Sequence, residues 1–395
     1  MSNQKVNYMS LLALTLLTVF VSPGNSGEQT VNNLNQNYVT ISVTDAKALT
    51  ENTTDLFILD VRTQAEYDFG YIDGAVLIPH TEIQDRKNEL PTNTSAPILV
   101  YCGSGMRSAN ASQQLEDLGY SQVYNMDNGL MFGWIPAGYW VTVAVEKVRT
   151  LIKDTPDLFI LDARTQAEFD AGYIDGATLI PHTEIQDRTD ELPTNKSEIL
   201  LVYCGSGKRS ANASQQLEEL GYVNVRNMAN GLMFGWIPTG YWITLSVAKT
   251  KALIDTTPDL FILDARTQAE YDVAHIEGAT LIPHTEIADR TGELPSNKSE
   301  ILLVYCGSGK RSANASQQLE DLGYTNVRNM ANGLMFGWIP AGYPIINGTA
   351  TDFTTDTITD TFSAETTSSK DISGFTFHLL VDVITVLLII RRRKK

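Results

Sequence analysis

Apolar positions in residues 38–139 follow two alternating patterns. Short continuous apolar runs, typical of strands buried on both faces, predict strands at 38–42, 56–61, 76–78, 98–101 and 122–125. The segments between them have helical spacing of apolar and polar residues, and they predict helices at 45–52, 64–69, 81–88 and 108–118. Continuous apolar strands that alternate with helices are typical of a parallel sheet covered on both faces. We therefore expect an α/β fold.

This pattern occurs three times in tandem. Cys102, Cys204 and Cys306 lie 102 residues apart, and the run Leu-Phe-Ile-Leu-Asp recurs at the same interval. A period of about 100 residues is the size of an independently folding domain rather than of a solenoid repeat. The sequence therefore predicts three similar domains without linkers, at 38–139, 140–241 and 242–343.

The two ends of the chain differ in composition from the repeats. Residues 1–26, with a lysine, a short apolar core and a small-residue region, are typical of a secretory signal peptide. Residues 345–371 are rich in Thr, Asp and Ser and predict a stalk. Residues 372–390 predict a transmembrane or processed hydrophobic anchor, and 391–395 a basic cytoplasmic tail. We expect an exported protein anchored in the membrane at the cell surface, with the repeats outside the cell. A buried N-terminal helix and an amphipathic C-terminal surface helix are the alternatives.

Charge and cysteine content exclude some classes of function. The net charge of −17 argues against nucleic acid as a partner. The three cysteines occupy equivalent positions in three repeats, so an intramolecular disulfide framework is not expected. We expect neither a metal nor a cofactor.

Each cysteine begins a loop that reads Cys-Gly-Ser-Gly-x-Arg-Ser and lies between a predicted strand and a predicted helix. Backbone N–H groups of a glycine-rich turn, the helix N-terminus and the arginine all favour a thiolate over a thiol. Open α/β sheets place their sites at this end of their strands. We therefore expect nucleophilic cysteines. The alternative is an inert buried cysteine, which would need neither the glycines nor the arginine.

These loops and three further motifs resemble the rhodanese (sulfurtransferase) family. The further motifs are Asp-x-Arg after the second strand, Gly-Ala before the third strand, and a late Gly-x-x-x-x-Trp that is followed by Gly-Tyr. The resemblance covers residues 38–343. It implies three domains, each a five-stranded parallel sheet with helices on both faces. Residues 373–375 and the basic tail also resemble an archaeal sorting signal, which implies exchange of the tail for a lipid.

The resemblance implies a sulfurtransferase of the thiosulfate or 3-mercaptopyruvate type. Cys102, Cys204 and Cys306 would take sulfane sulfur from a small anionic donor and pass it, as a persulfide, to a thiol or other thiophilic acceptor. The donor would be bound by Gly103, Ser104, Gly105 and Arg107, by Gly205, Ser206, Gly207, Lys208 and Arg209, and by Gly307, Ser308, Gly309, Lys310 and Arg311.

Other residues of the family motifs are expected to have structural roles. The Asp-x-Arg pairs are predicted to be ion pairs that support the strand end: Asp60 with Arg62, Asp162 with Arg164, and Asp264 with Arg266. His275 matches a frequent family histidine, but the other repeats carry Tyr71 and Tyr173 there. We therefore expect a packing or hydrogen-bonding role for His275 rather than a catalytic one.

Two other functions remain open at this point. Phosphatases and arsenate reductases of rhodanese-like fold have one residue more between Cys and Arg, which makes a cradle wide enough for a tetrahedral phosphate. The shorter loop here suits a persulfide sulfur. A tethered, non-enzymatic array of binding modules is the other alternative, and the presence of all three cysteines argues against it.

Overall fold

The structure, a computed structural model, describes residues 37–347. The predicted signal peptide, hydrophobic anchor and basic tail lie outside the described residues, as does the predicted stalk beyond its first three residues. None of the helices within 37–347 is both long enough and apolar enough to cross a membrane.

The first repeat forms a five-stranded parallel sheet in the order β1-β5-β4-β2-β3. Its strands are Val39–Ile41 (β1), Phe57–Asp60 (β2), Val76–Leu77 (β3), Ile98–Tyr101 (β4) and Val123–Met126 (β5). Its helices are Val43–Asn52 (α1), Gln64–Phe69 (α2) and Met106–Asp117 (α3).

The second repeat has the same topology, with the sheet order β6-β10-β9-β7-β8. Its strands are Val141–Val143 (β6), Phe159–Asp162 (β7), Ala177–Leu179 (β8), Leu200–Tyr203 (β9) and Val225–Met228 (β10). Its helices are Val145–Asp154 (α4), Gln166–Ala171 (α5) and Lys208–Glu219 (α6).

The third repeat has the sheet order β11-β16-β15-β12-β14. The strands are Ile243–Leu245 (β11), Phe261–Asp264 (β12), Ala274–His275 (β13), Ala279–Leu281 (β14), Leu302–Tyr305 (β15), Val327–Met330 (β16) and Ile346–Asn347 (β17). The helices are Val247–Thr256 (α7), Gln268–Val273 (α8) and Lys310–Asp321 (α9). The predicted fold class, three tandem α/β domains with five-stranded parallel sheets, is confirmed.

The predicted helix at 81–88 is wrong. This segment consists of turns followed by a short 3₁₀ helix, Lys87–Glu89. Single turn hydrogen bonds, such as Glu82 N–H to Pro79 O at 2.7 Å, replace a continuous helical ladder. The Arg86 guanidinium holds the turns together by donating to Glu82, Glu89 and the Leu77 carbonyl. Of these bonds, the one to the Leu77 carbonyl reaches outside the segment and holds the turns at the end of β3.

Contacts divide the described residues into two compact units. One comprises residues 37–63 and 75–133, and the other comprises residues 64–74 and 134–347. Within the second unit, Tyr71 and Tyr173 each form an antiparallel bridge with the first strand of the following repeat, at Thr142 and Thr244. At the third repeat, β17 makes the equivalent pairing with β13, so the first residues after the last repeat form a strand there.

The central strands β4, β9 and β15 are buried along their whole length. Apolar residues of neighbouring strands and of the helix after the central strand pack around them. In the second repeat this core includes Leu161, Val202, Ala213, Leu217 and Cys204 itself. Because each central strand is fixed on both faces, the loop that begins at its carboxyl end has a well-defined starting point.

A buried ion pair closes the end of each neighbouring strand. In the second repeat, Nε and Nη2 of Arg164 donate to the Asp162 carboxylate at 2.6–3.0 Å, and Nη2 also donates to the Gly172 carbonyl at 2.7 Å. Asp60 with Arg62 and Asp264 with Arg266 form the same pair. These predicted support residues therefore lie together at the strand end and hold the chain that leaves it.

Candidate functional site around the three cysteines

Each cysteine directly follows the central strand of its sheet. In the second repeat, β9 ends at Tyr203, Cys204 follows, and α6 begins at Lys208. Gly207 has a φ of +93°, in the left-handed region that favours glycine, and this turn directs the chain from the strand into the helix. Gly105 and Gly309 have the same conformation. The loop is therefore a strand-to-helix turn, as the sequence pattern indicates.

Backbone and hydroxyl donors point at the sulfur atom in all three loops. The N–H group of the second loop glycine donates to Sγ at 3.1 Å in the first repeat and at 3.2 Å in the others. A serine hydroxyl on the following helix lies 3.4–3.5 Å from the same Sγ. These serines are Ser108, Ser210 and Ser312, and all are buried.

These donors change the acidity of the thiol. Burial raises the pKa of Cys204, because a desolvated thiolate is unfavourable. Hydrogen bonds from the Ser210 hydroxyl and from the N–H groups of Ser210, Ser206 and Gly207 outweigh burial, so the pKa of Cys204 lies below its ordinary value. The pKa of Cys102 is lowered by the equivalent donors, again against the effect of burial. Hydrogen bonds thus favour the thiolate within a buried loop.

A second turn supports the loop from behind. The Leu232 N–H donates to the Cys204 carbonyl at 2.7 Å, and the Met233 N–H donates to the Gly205 carbonyl at 2.9 Å. Gly231, with a φ of +59°, makes this close approach possible, because a Cβ there would lie 2.5 Å from the Cys204 carbonyl oxygen. The late glycine of the sequence motif is therefore needed at the site, where its lack of a side chain lets two backbones touch.

The loop arginines of the second and third repeats form ion pairs with glutamates. Arg209 donates two N–H groups to Glu168 at 2.6 and 2.7 Å, and Arg311 makes the same bidentate pair with Glu270. The Arg209 hydrogen bond lowers the pKa of Glu168 to about 2, so the pair stays ionised in mildly acidic solution. The arginine charge is therefore already balanced by a carboxylate before any anion approaches.

The variable loop position is exposed and supplies a different charge in the first repeat. Lys208 and Lys310 are the exposed first residues of α6 and α9, and within residues 37–347 neither forms an ion pair. Met106 occupies the equivalent position in the first repeat, with 80% of its surface exposed. With the arginines of repeats two and three paired, these lysines are the cations left to attract an anionic ligand.

The three thiols are closed off from solvent. Cys102, Cys204 and Cys306 each have 0% exposed surface. The side chains of Arg209 and Met233 lie over the first loop glycine. A Cβ added to Gly205 would lie 3.3 Å from Arg209 Nη2 and 3.8 Å from Met233 Cγ. A reagent reaches Sγ only if it is small or if such side chains move aside.

Two kinds of site residue were not predicted from the sequence. The serine that bonds Sγ is the last residue of the Cys-Gly-Ser-Gly-x-Arg-Ser motif, so its position in the motif was the available signal. Glu168 lies in a Thr-x-x-Glu capping box at the start of α5, which the sequence also displays. What the pattern does not show is that this carboxylate also reaches Arg209 on a different helix.

His275 lies in a packing environment. Its ring stacks on Tyr271 at 3.8 Å between ring centres, and Nδ1 lies 2.9 Å from the Tyr271 carbonyl oxygen. Tyr71 and Tyr173 stack in the same way on Tyr67 and Phe169. One role is therefore filled by a histidine in one repeat and by a tyrosine in the other two.

Comparison with known proteins gives a consistent family. The model of the rhodanese-like domain matches residues 42–134, 144–236 and 246–338. The chain is 36% identical over 72 residues to the thiosulfate sulfurtransferase PspE of Escherichia coli, covering 18% of this chain and 68% of PspE. It is 34% identical over 88 residues to a protein named sulfurtransferase from Allochromatium vinosum, covering 22% of this chain and 80% of that protein.

Solved structures include a rhodanese-related protein from Thermoplasma volcanium that is 34% identical, with a TM-score of 0.24. That match covers 26% of this chain and 97% of the other. The chain spans about half the length of some other curated relatives that it matches, at 56% and 48%.

The hydroxyl donor to the sulfur leads to a testable prediction. Ser210→Ala, in a chain whose other two cysteines are serine, should raise the pKa of Cys204 by about one unit, because one hydrogen bond to a charged group is lost. The measurement is the rate of iodoacetamide alkylation against pH. Ser214→Ala is the matched control, since Ser214 is buried in the same helix and its hydroxyl has no hydrogen-bond partner. Equal shifts in both variants would contradict a specific Ser210–sulfur bond.

Proposed function

Since the chain belongs to the rhodanese family, with three copies of the domain, we propose that it is a sulfurtransferase. Its cysteines would accept sulfane sulfur from a small anionic donor such as thiosulfate and deliver it to a thiol or other thiophilic acceptor. The observation that carries this proposal is the sulfur atom that receives a backbone N–H and a serine hydroxyl in every repeat.

The proposed reaction has two displacement steps. The Cys204 thiolate attacks the outer sulfur of thiosulfate, the Sγ–S bond forms, the S–S bond of thiosulfate breaks, and sulfite leaves with the electron pair. The acceptor then attacks the outer sulfur of the persulfide, and the thiolate is the leaving group. Neither step needs a general base when the cysteine is already ionised. The lowered pKa of Cys204 supports this requirement.

The donors at Sγ serve both steps for a physical reason. The thiolate is the reactant of the first step and the leaving group of the second. Donors that stabilise the charge on Sγ therefore lower the free energy needed to re-form the thiolate in the second step. The sulfur atom itself is buried away from water, which strengthens each hydrogen bond to the charge. The Ser206 and Gly207 N–H groups would also remain close to a sulfur atom attached to Sγ.

The charges around the loop favour an anionic donor in the second and third repeats. Lys208 and Lys310 are exposed and unpaired within the described residues, whereas Arg209 and Arg311 already hold carboxylates. We therefore assign attraction of the donor to the lysines. The arginines would hold the loop in shape and contact a donor only after their glutamates are displaced.

A non-enzymatic binding array is the second candidate, and one observation favours it. The thiols have 0% exposed surface, as expected for cysteines that do no chemistry. The lowered pKa of Cys102 and Cys204 is not needed for that role, however, nor are the hydrogen bonds to Sγ that occur in every loop.

The first test is persulfide formation on the full chain. Incubation with thiosulfate should add up to three sulfur atoms per chain, detected by mass spectrometry of the intact protein, and cyanide should remove them. The chain with all three cysteines changed to serine is the control. A folded protein that gains no sulfur from thiosulfate or from 3-mercaptopyruvate would contradict the proposal and favour the binding array.

The second test compares the repeats. Single-cysteine chains that keep Cys102 should have a lower kcat/KM for thiosulfate at low salt than chains that keep Cys204 or Cys306. The first loop carries Met106 where the others carry a lysine. One exposed cation near a dianion should change the rate by about two- to five-fold, less at high salt.

Met106→Lys should close this gap in the chain that keeps Cys102. The matched reverse change, Lys208→Met, should lower the rate of the chain that keeps Cys204. Equal rates of all single-cysteine chains at low salt would mean that the lysines do not attract the donor.

We also propose that the protein is exported and held at the membrane surface. Support comes only from the sequence of residues 1–26 and 372–395, which lie outside the described residues. Protease added to intact cells should then digest the repeats. Protection of the repeats until the cells are lysed would place them inside the cell.

A further inference from the structure

A continuous chain of hydrogen bonds connects one repeat to the thiol of the next. The Thr142 hydroxyl donates to Asp73 Oδ1 at 2.8 Å, and the Asn227 Nδ2 donates to Thr142 Oγ1 at 3.1 Å. The Ser210 hydroxyl lies 2.6 Å from Asn227 Oδ1 and 3.4 Å from Cys204 Sγ. Thr142, Asn227, Ser210 and Cys204 are all buried, and Asp73 lies in residues 64–74, which belong to the same compact unit as the second repeat.

The third repeat has the same series of residues. The Thr244 hydroxyl donates to Asp175 Oδ1 at 2.8 Å, and the Asn329 Nδ2 donates to Thr244 Oγ1 at 3.1 Å. The Ser312 hydroxyl lies 3.4 Å from Cys306 Sγ, and Asn329 Oδ1 is buried without a hydrogen-bond partner. Asn227 Oδ1 therefore accepts the serine hydroxyl of its repeat, whereas Asn329 Oδ1 does not.

Within the described residues, no carboxylate completes this series in the first repeat. Its threonine, Thr40, is exposed rather than buried, and within residues 37–347 no carboxylate accepts its hydroxyl proton. Asn125 Nδ2 lies 3.3 Å from Thr40 Oγ1, and Asn125 Oδ1 has no partner. The carboxylate is thus present where another repeat precedes the site.

The carboxylate restricts the bond between the threonine and the asparagine amide to one direction, and that bond is 3.1 Å in the second repeat against 3.3 Å in the first. A threonine hydroxyl has one proton, and in the second repeat that proton is committed to Asp73. Thr142 Oγ1 can therefore only accept from Asn227, which turns the amide N–H₂ group toward Thr142 and the amide oxygen toward Ser210. Without the aspartate, the threonine could donate instead and the amide could turn over.

The orientation of the amide affects the thiolate because Ser210 also has only one proton. The hydroxyl can donate to Asn227 Oδ1, to the Gly207 carbonyl or to Sγ, but to one of them at a time. When Cys204 ionises, the hydroxyl moves to the sulfur and the Asn227 oxygen loses its partner. The amide therefore competes with the thiolate for the serine proton.

We propose that Asp73 sets the reactivity of the Cys204 thiol in the following repeat by fixing the amide orientation of Asn227 beneath Ser210. Asn227 and Thr142 act as positioning residues. The inference deepens the proposed function and rests on it, since thiolate formation begins the proposed transfer. Its test measures the thiol directly and does not require sulfur transfer.

The test removes the threonine hydroxyl in the full-length chain that keeps only Cys204. In Thr142→Val the Asn227 amide loses its acceptor and can turn over, donate to Ser210 Oγ and release the serine proton to the sulfur. Ionisation of Cys204 then no longer breaks the hydrogen bond from Ser210 to the Asn227 oxygen. The pKa of Cys204, measured from iodoacetamide alkylation against pH, should fall by about half a unit to one unit. Thr142→Ser should restore the original value.

Matched controls separate this effect from a general disturbance. Thr244→Val should leave the pKa of Cys204 unchanged, because Thr244 belongs to the series of Cys306. Adding Ser210→Ala should abolish the effect of Thr142→Val, because the amide acts on the sulfur only through Ser210. Arg209 and Glu168, the charged pair near the sulfur, are unchanged in every variant.

Asp73→Ala is an independent second variant, in case Thr142→Val does not fold. It frees the Thr142 hydroxyl to donate to the turned amide, so the pKa of Cys204 should again fall, while Asp175→Ala should not change it. An unchanged pKa in the folded variants, or a shift that persists with Ser210→Ala, would overturn the proposal. A chain that shows the predicted shifts but forms no persulfide would contradict the proposed function alone.

Discussion

A buried sulfur atom can be an anion only where hydrogen-bond donors replace the water that it has lost. In this protein the donors are a glycine N–H, further loop N–H groups and one serine hydroxyl, all directed at the cysteine that follows the central strand. The rest of each domain holds these donors in place. The buried strand fixes the start of the loop, and the Asn-Gly turn behind it fixes the loop carbonyls.

The charged residues around the loop have a supporting role in this arrangement. Arg209 and Arg311 are bound to glutamates that also cap neighbouring helices, so each arginine joins the loop to another element of its repeat. The buried Asp-Arg pairs hold the adjacent strand end in the same manner. Breaking such a buried pair is strongly destabilising, because one charge is then left without a partner. The pairs therefore favour a rigid edge of the sheet around the site.

Repetition makes the three sites similar but gives them different neighbours. The segments at Tyr71 and Tyr173 each bridge to the next repeat, and the pairing of β13 with β17 fills that place after the third. There, Glu277 and Ile346 replace the aspartate and threonine of the earlier junctions, so the polar contact between Asp73 and Thr142 has no equivalent. The first repeat in turn has an exposed threonine where the others have a buried one.

The sequence by itself determined the α/β fold, the three repeats and the position of each cysteine loop at a strand-to-helix turn. These features depend on local patterns: continuous apolar strands, glycine where φ is positive, and a helix after the loop. The wrong helix at 81–88 shows the limit of such patterns, because Arg86 there bonds to groups before and after it in the chain and stabilises turns instead.

Only the tertiary structure decided how the side chains combine. The pairing of Arg209 with Glu168 joins residues 41 positions apart, and the contact of Asn227 with Thr142 joins residues 85 positions apart. No periodicity links such residues, because their proximity results from the order of strands in the sheet and from the contact between α5 and α6 of the same repeat. For the same reason the sequence did not show that Arg209 and Arg311 pair with carboxylates.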